Sequence, residues 1–153
     1  PAAKTFFFKL HSSTLPVKVW LESKGIFVPW SVNCLLCKQP ETIEHVFIDC
    51  WDAVFFWDVL QRTLKKELCI TGHGIRFLPK EKHELVPYDT FFLLGLYAIW
   101  TSRMAVRNAD VNAKPVCFYF RESVARLKIV YQSRGETPEW LPMLDDLQKM
   151  KEV

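Results

Sequence analysis

The sequence predicts an all-α fold, and three observations predict it. Apolar residues recur at helical spacing in stretch after stretch. No segment alternates apolar and polar residues over the length of a strand. Pro and Gly fall where helices would begin and end. The chain has 153 residues, enough for one domain or two small ones sharing a core. It is 50% apolar and 24% charged, which excludes wholesale disorder. No internal repeat or low-complexity tract interrupts it.

The elements follow in order. Ala3 to Leu10 is apolar with flanking Lys and reads as a short helix, broken at Leu15-Pro16. Pro16 suits the first turn of a second helix, where its missing N–H costs nothing. Val17, Trp20 and Leu21 share one face of it, and Gly25 is its C-cap. Ile26 to Pro29 leads into Cys34. Thr42 precedes Ile43, Val46 and Phe47, a helical turn ending near Cys50. Asp52 is placed to cap the next helix. Trp51, Phe55, Phe56, Val59, Leu60, Leu64 and Leu68 form its apolar side, opposite Asp58, Arg62, Lys65 and Lys66.

Residues 69–87 hold Gly72, Gly74, Pro79 and Pro87, which predicts a long loop. Tyr88 to Asp110 reads as a long helix, buried at its apolar start. Lys114-Pro115 restarts the chain, and Val116, Phe120, Val124, Leu127 and Val130 make the next stripe. Gly135 and Pro138 mark a connector. Trp140, Leu144, Leu147 and Met150 outline a last amphipathic helix. The expected organisation is a helical module over 1–70, a loop over 71–87, and a helical extension over 88–153 packed on that module.

No segment reads as targeting or membrane-spanning. Phe6-Phe7-Phe8 is too short for a signal-peptide core. The run from Phe91 to Trp100 would span about 15 Å as a helix, roughly half a bilayer core. An intracellular protein with reduced thiols, nuclear or cytoplasmic, is expected.

The five Cys sort unevenly. Cys34, Cys37, His45 and Cys50 make a C-x2-C-x7-H-x4-C pattern with the spacing of a CCHC zinc finger. Two thiolates from a tight turn can grip one Zn²⁺, and His45 and Cys50 can complete a tetrahedron from a following short helix. A closed four-ligand site leaves no place for a reactive water, so it is structural rather than catalytic. The competing readings are a redox dithiol and four incidentally buried side chains. Against them, the pair sits in a polar turn, the other ligand types lie close by, and no βαβ pattern surrounds it. The fold class predicted is therefore a small helical domain built around a Cys3His zinc knot and extended by a C-terminal helical bundle. Loss of the metal is expected to melt residues 10–60. Cys69, near His73 and His83, reads as a spare thiol beside the loop. Cys117 reads as core, and His11 as a surface or helix-end residue.

The net charge of +3 hides an uneven distribution. Arg103, Arg107, Lys114, Arg121, Arg126, Lys128 and Arg134 outweigh Asp110 and Glu122, a block of +5, and residues 135–153 carry −3. Arg presents a planar fork to phosphate and can stack on bases, so Arg103, Arg107, Arg121, Arg126, Lys128 and Arg134 are candidate nucleic-acid contacts. Lys18, Lys24 and Lys38 around the Cys turn, with Trp30 as a stacking surface, form a second candidate patch. The competing reading of the Arg block is a solvated helix face, or one paired to the acidic tail. A different function class, a protein-interaction scaffold, would use the Trp140 to Met150 helix as its docking face. Catalysis is not expected: there is no phosphate-binding Gly loop, no open metal site and no nucleophile elbow. Asp145-Asp146 reads as solvent-facing helix acids.

Residues 10–18 (Leu-His-Ser-Ser-Thr-Leu-Pro-Val-Lys), Leu21, Gly25-Ile26, the Cys34-x2-Cys37 pair, Glu41-Thr42-Ile43-Glu44-His45-Val46-Phe47, Cys50 and Phe56-Trp57 occur in an informative order. That order resembles the zinc-binding region following the reverse transcriptase in non-LTR (LINE-type) retrotransposon proteins. The resemblance covers about residues 6–60 and continues more weakly through Leu93 to Leu96, Ile99-Trp100 and Arg103. Residues 110–153 carry none of its landmarks. It implies zinc ligation by Cys34, Cys37, His45 and Cys50, and a module that helps a polymerase hold template RNA or target DNA. It also implies that the chain is cut from a larger retroelement protein or is a domesticated descendant. In the latter case a protein-interaction adaptor on the same scaffold is the alternative, docking on a partner or on the polymerase body.

Overall fold

Proline and glycine set several of the helix ends in the computed structural model of the chain, which describes residues 2–28, 31–77 and 86–151. Helix α1 spans Ala2–His11 and α2 spans Lys18–Ser23. Val17, held extended after Pro16, is the N-cap of α2. Gly25 ends it at φ +72°, and the Ile26 N–H closes back on the Leu21 carbonyl at 3.0 Å. A side chain at that φ would be strained, which is why glycine stands there. A π-helical turn covers His45–Asp49, and α3 spans Trp51–Leu64. Helix α4 spans Gly72–Phe77, α5 Tyr88–Arg107, α6 Val116–Ser133 and α7 Met143–Gln148. Among the described residues there is no strand, only an antiparallel bridge between Asn33 and Pro40. The protein is all-α, and none of its described helices is long and apolar enough to cross a membrane.

Several local expectations are corrected. The stretch read as loop contains α4, because the Thr71 hydroxyl accepts the Gly74 N–H at 2.9 Å and nucleates a turn that Gly would otherwise disfavour. Gly74 is required there: a Cβ would lie 2.1 Å from the Cys69 carbonyl oxygen. The N-cap of α3 is Cys50, not Asp52, which sits in the first turn where the helix dipole favours an acid. Helix α5 stops at Arg107, short of Asp110. The final helix is limited to Met143–Gln148, since residues 139–142 form turns around Pro142. Pro79 and His83 lie outside the described residues.

One apolar cluster runs from Phe6 to Met150 and draws on every part of the chain. Helix α5 is its centre, packing on α6, on the π turn and on α1. Phe6 of α1 meets Phe47 of the π turn and Tyr97 of α5, with ring centroids 5.9 and 5.4 Å away. Residues 88–107 therefore share a core with the Cys-rich segment. Trp140 is half-buried against Phe91 and Tyr131, while Leu144, Leu147 and Met150 are buried. The apolar face of the last helix is core, which removes it as the expected docking face.

Gly95 of α5 meets two rings of α3. A Cβ there would lie 2.9 Å from both Phe56 and Trp57 of α3. Gly95→Ala must push two buried rings aside, and it is expected to cost about 1–3 kcal/mol. Denaturant unfolding of the variant checks this; unchanged stability would mean the rings relax freely.

Candidate metal centre

The site is assembled from two short segments with opposite local geometry. The first is a tight turn. The Cys34 N–H donates to the Gln39 carbonyl at 2.6 Å, the Lys38 N–H to the Cys34 carbonyl at 2.9 Å, and the Glu41 N–H to the Val32 carbonyl at 2.9 Å. Lys38 takes the left-handed conformation at φ +61° so that the chain can reverse. The Leu36 N–H points at the Cys34 sulfur, 3.4 Å away. This bends the pair so that both Cys side chains face inward.

The second segment is the π turn. His45 and Cys50 are five residues apart, about 1.4 turns of an α-helix, which would put them on different sides. The Cys50 N–H instead bonds the His45 carbonyl at 2.7 Å, an i→i+5 closure that widens the turn and stacks the two residues. Thr42 anchors its start by accepting the His45 N–H at 3.0 Å. Trp57 pins its side by donating from Nε1 to the Phe47 carbonyl at 2.7 Å.

The four ligand atoms of Cys34, Cys37, His45 and Cys50 all lie within 4.8 Å of one another. The Cys34 and Cys50 sulfurs are 3.8 Å apart, and those of Cys37 and Cys50 are 3.4 Å apart. A Zn–S bond of about 2.3 Å sets two sulfurs of a tetrahedral site about 3.8 Å apart, so the spacing fits zinc. His45 Nε2 is buried with no hydrogen-bond partner, the condition of a nitrogen reserved for a metal. The donor set thus fits one structural Zn²⁺ held by three thiolates and an imidazole.

The thiols are tuned against one another. The Cys50 thiol donates to Cys34, and despite the opposing effect of burial this and the Arg103 guanidinium bring Cys34 down to about 3. The same contact, with burial and Asp52, pushes the Cys50 thiol up. Three touching sulfurs cannot all ionise beside a single guanidinium; a divalent cation lets them do so.

Around the sulfurs lies a buried charge network. Arg103 of α5 is 2% exposed. Its Nη1 donates to the Cys34 sulfur at 2.6 Å and its Nη2 to the Cys50 sulfur at 2.9 Å. Asp52 lies 3.7 Å from Nη2, and Glu41 lies 3.4 Å from Nη1. Glu41 is itself buried. It accepts the Lys18 backbone N–H at 3.0 Å and the Arg107 guanidinium at 2.7 Å. Arg107 also donates to the Pro16 carbonyl at 2.8 Å.

These contacts redistribute the residues expected to meet nucleic acid. Arg103, Arg107 and Lys18 are not on an open face: Arg103 is held by sulfur, Arg107 by Glu41 and Pro16, and Lys18 is buried with Nζ on the Asn33 carbonyl at 3.0 Å. The physical reason is that a buried thiolate cluster and a buried Glu41 demand cations, and these are the nearest ones. Arg121 donates to the Met150 carbonyl at 2.5 Å, and Lys128 pairs with Asp145 at 2.5 Å. Both are turned toward the acidic tail. Arg126, Arg134, Lys24 and Lys38 are exposed. Trp30 lies outside the described residues. Cys69 is exposed, with its sulfur 3.5 Å from the Thr71 hydroxyl, and Cys117 is buried in the core.

Two residues of the site, Glu41 and Arg103, are not placed at the metal ligands by the sequence pattern. Glu41 stood among the Glu-Thr-Ile-Glu landmarks, but nothing local marks it as buried. Arg103 is 53 residues beyond the last ligand, and only tertiary packing brings it to the sulfurs.

Comparison with the curated proteins and with the solved structures gives no match. Residues 1–57, which contain all four ligands, match the family described as zinc-binding in reverse transcriptase.

Proposed function

We propose that this chain is a non-catalytic zinc module that binds nucleic acid, RNA or DNA, in or derived from a LINE-type reverse-transcriptase protein. An intracellular location, nuclear or cytoplasmic, goes with this reading. The observation that carries it is a groove of about 440 Å³ beside the zinc knot. Trp51 and Phe55 of α3 line it with their rings edge to face, centroids 5.9 Å apart, and they are 51% and 56% exposed. Lys114 lines the groove, and the exposed Lys38 is two residues from Leu36, which also lines it. Open aromatic faces next to cations suit stacking of unpaired bases with their phosphates nearby. Arg126 on α6 and Arg134 at its C-cap are also exposed cations.

The second reading is an adaptor that docks on a protein, including a polymerase body. It is favoured by the rest of the groove wall, where Leu36, Val59, Val106 and Val116 are apolar. Binding to single-stranded RNA, duplex RNA and duplex DNA across a salt series separates the two. Nucleic-acid binding predicts salt-sensitive affinity with a single-strand preference, and a loss of about 10-fold or more in Trp51→Ala/Phe55→Ala. No binding to any of the three would transfer the groove to the adaptor reading.

A further inference from the structure

All four zinc ligands lie between residues 34 and 50, inside the stretch that matches the zinc-binding family. The strongest donors to their sulfurs do not. They come from Arg103 on α5, whose planar fork spans two thiolates at once, Nη1 on Cys34 and Nη2 on Cys50. Asp52 and Glu41 hold the fork from its edges, and Arg107, one helical turn on, answers Glu41. Three thiolates and one Zn²⁺ leave one negative charge, and Arg103 presents its positive charge to two of those sulfurs while Glu41 and Asp52 flank it. A guanidinium this deeply buried is tolerable only beside anions, and the thiolates are its nearest ones. Lys could offer the charge but not a fork across two sulfurs.

We propose that Arg103 is a positioning residue of the zinc site. It orients and electronically moderates the Cys34 and Cys50 thiolates, so that metal binding and the docking of α5 onto the knot stabilise each other. The zinc-binding unit of this chain accordingly reaches at least to residue 107, nearly twice the length of the matched stretch. This stands whichever partner the groove takes.

The test uses the full chain. Zinc affinity is measured by chelator competition well below the melting temperature, and Co²⁺ is substituted to read the sulfur-to-metal charge-transfer band. Arg103→Met is expected to weaken zinc binding by about 10- to 100-fold. It should also move the charge-transfer band to lower energy, because thiolates relieved of N–H donors are more electron-rich. Leu96→Ala, a cavity on the same helix away from the sulfurs, lowers stability but should leave the band in place. If Arg103→Met does not fold, Arg103→Lys decides by the same two readouts, with a smaller shift in the same direction. An affinity within 2-fold of the parent overturns the proposal. So does a weakened affinity with an unmoved band, which is what a merely structural residue would give.

Discussion

Removing the metal with a chelator, or one ligand by Cys37→Ser, is expected to dismantle tertiary structure far beyond residues 10–60. The reason is the continuity of the core. Phe47 in the π turn packs against Phe6 of α1 and, at a centroid distance of 6.3 Å, against Trp100 of α5. Arg103, on the same helix as Trp100, is buried against the Cys34 and Cys50 sulfurs. Without zinc the sulfurs lose their shared charge partner, the π turn loses the metal that ties its two ends to the Cys pair, and Arg103 keeps only part of the thiolate charge that faces it. Structural zinc contributes on the order of 10 kcal/mol to folding in small zinc-finger peptides, whereas a domain's whole stability is about 5–15 kcal/mol. Chelated protein should therefore retain helical circular dichroism in part but lose its cooperative melting transition, with Trp emission shifting red as Trp57 and Trp100 are exposed. A chelated chain that melts at the same temperature as the loaded one would refute a structural role for the metal.

Replacing Glu41 by Ala should be among the costly single substitutions outside the ligands. Glu41 is 1% exposed and anchors three groups on two helices: the Lys18 N–H at the start of α2, and Arg103 and Arg107 on α5. Its removal leaves two guanidinium groups short of an anion in a buried setting, and breaking such a pair costs about 3–5 kcal/mol. Glu44, three residues on, is the natural control. It pairs with Arg76 of α4 at a half-exposed site, and although burial opposes the shift, Arg76 holds its carboxyl below the usual range. Surface pairs of that kind are worth about 0–1 kcal/mol. Urea unfolding of Glu41→Ala and Glu44→Ala side by side checks the contrast. Equal, small losses in both would show that the buried network does not stabilise the fold. Because Glu41→Ala frees Arg103 to turn, it should also weaken zinc retention, whereas Glu44→Ala should not.

Glu41 and Glu44 also show where sequence reading stops. Both sit in one polar stretch, and their spacing to His45 marks a metal segment, yet composition cannot say which acid is interior. Arg103 and Arg107 illustrate the same boundary from the other side. Their clustering with Arg121, Arg126, Lys128 and Arg134 looked like a phosphate-binding face, since charge density along a chain says nothing about direction. Folding turns the first two inward to thiolates and Glu41, ties Arg121 and Lys128 to the acidic tail, and leaves Arg126 and Arg134 outside. Trp51 and Phe55 belong to the apolar side that helical spacing gives α3. They are half exposed because the stripe is wider than the surface available to cover it, and the surplus lines the groove.

What the sequence determined by itself was set by local rules. Helical periodicity, Pro16 and Gly25 at the ends of α2, Pro115 before α6 and the C-x2-C-x7-H-x4-C spacing each act within a few residues, so a linear reading recovers the all-α class and the metal ligands. What only the tertiary structure decided depends on residues far apart in the chain. The glycine-rich helix α4 is held by packing against residue 69 and Arg76 contacts to Glu44. The fate of each cation depends on which anion lies buried beside it. The reach of the zinc site into α5 depends on a single guanidinium arriving from 53 positions away. Spacing along the chain specifies ligands, but burial and charge pairing are properties of neighbours in space, and those exist only once the core has closed.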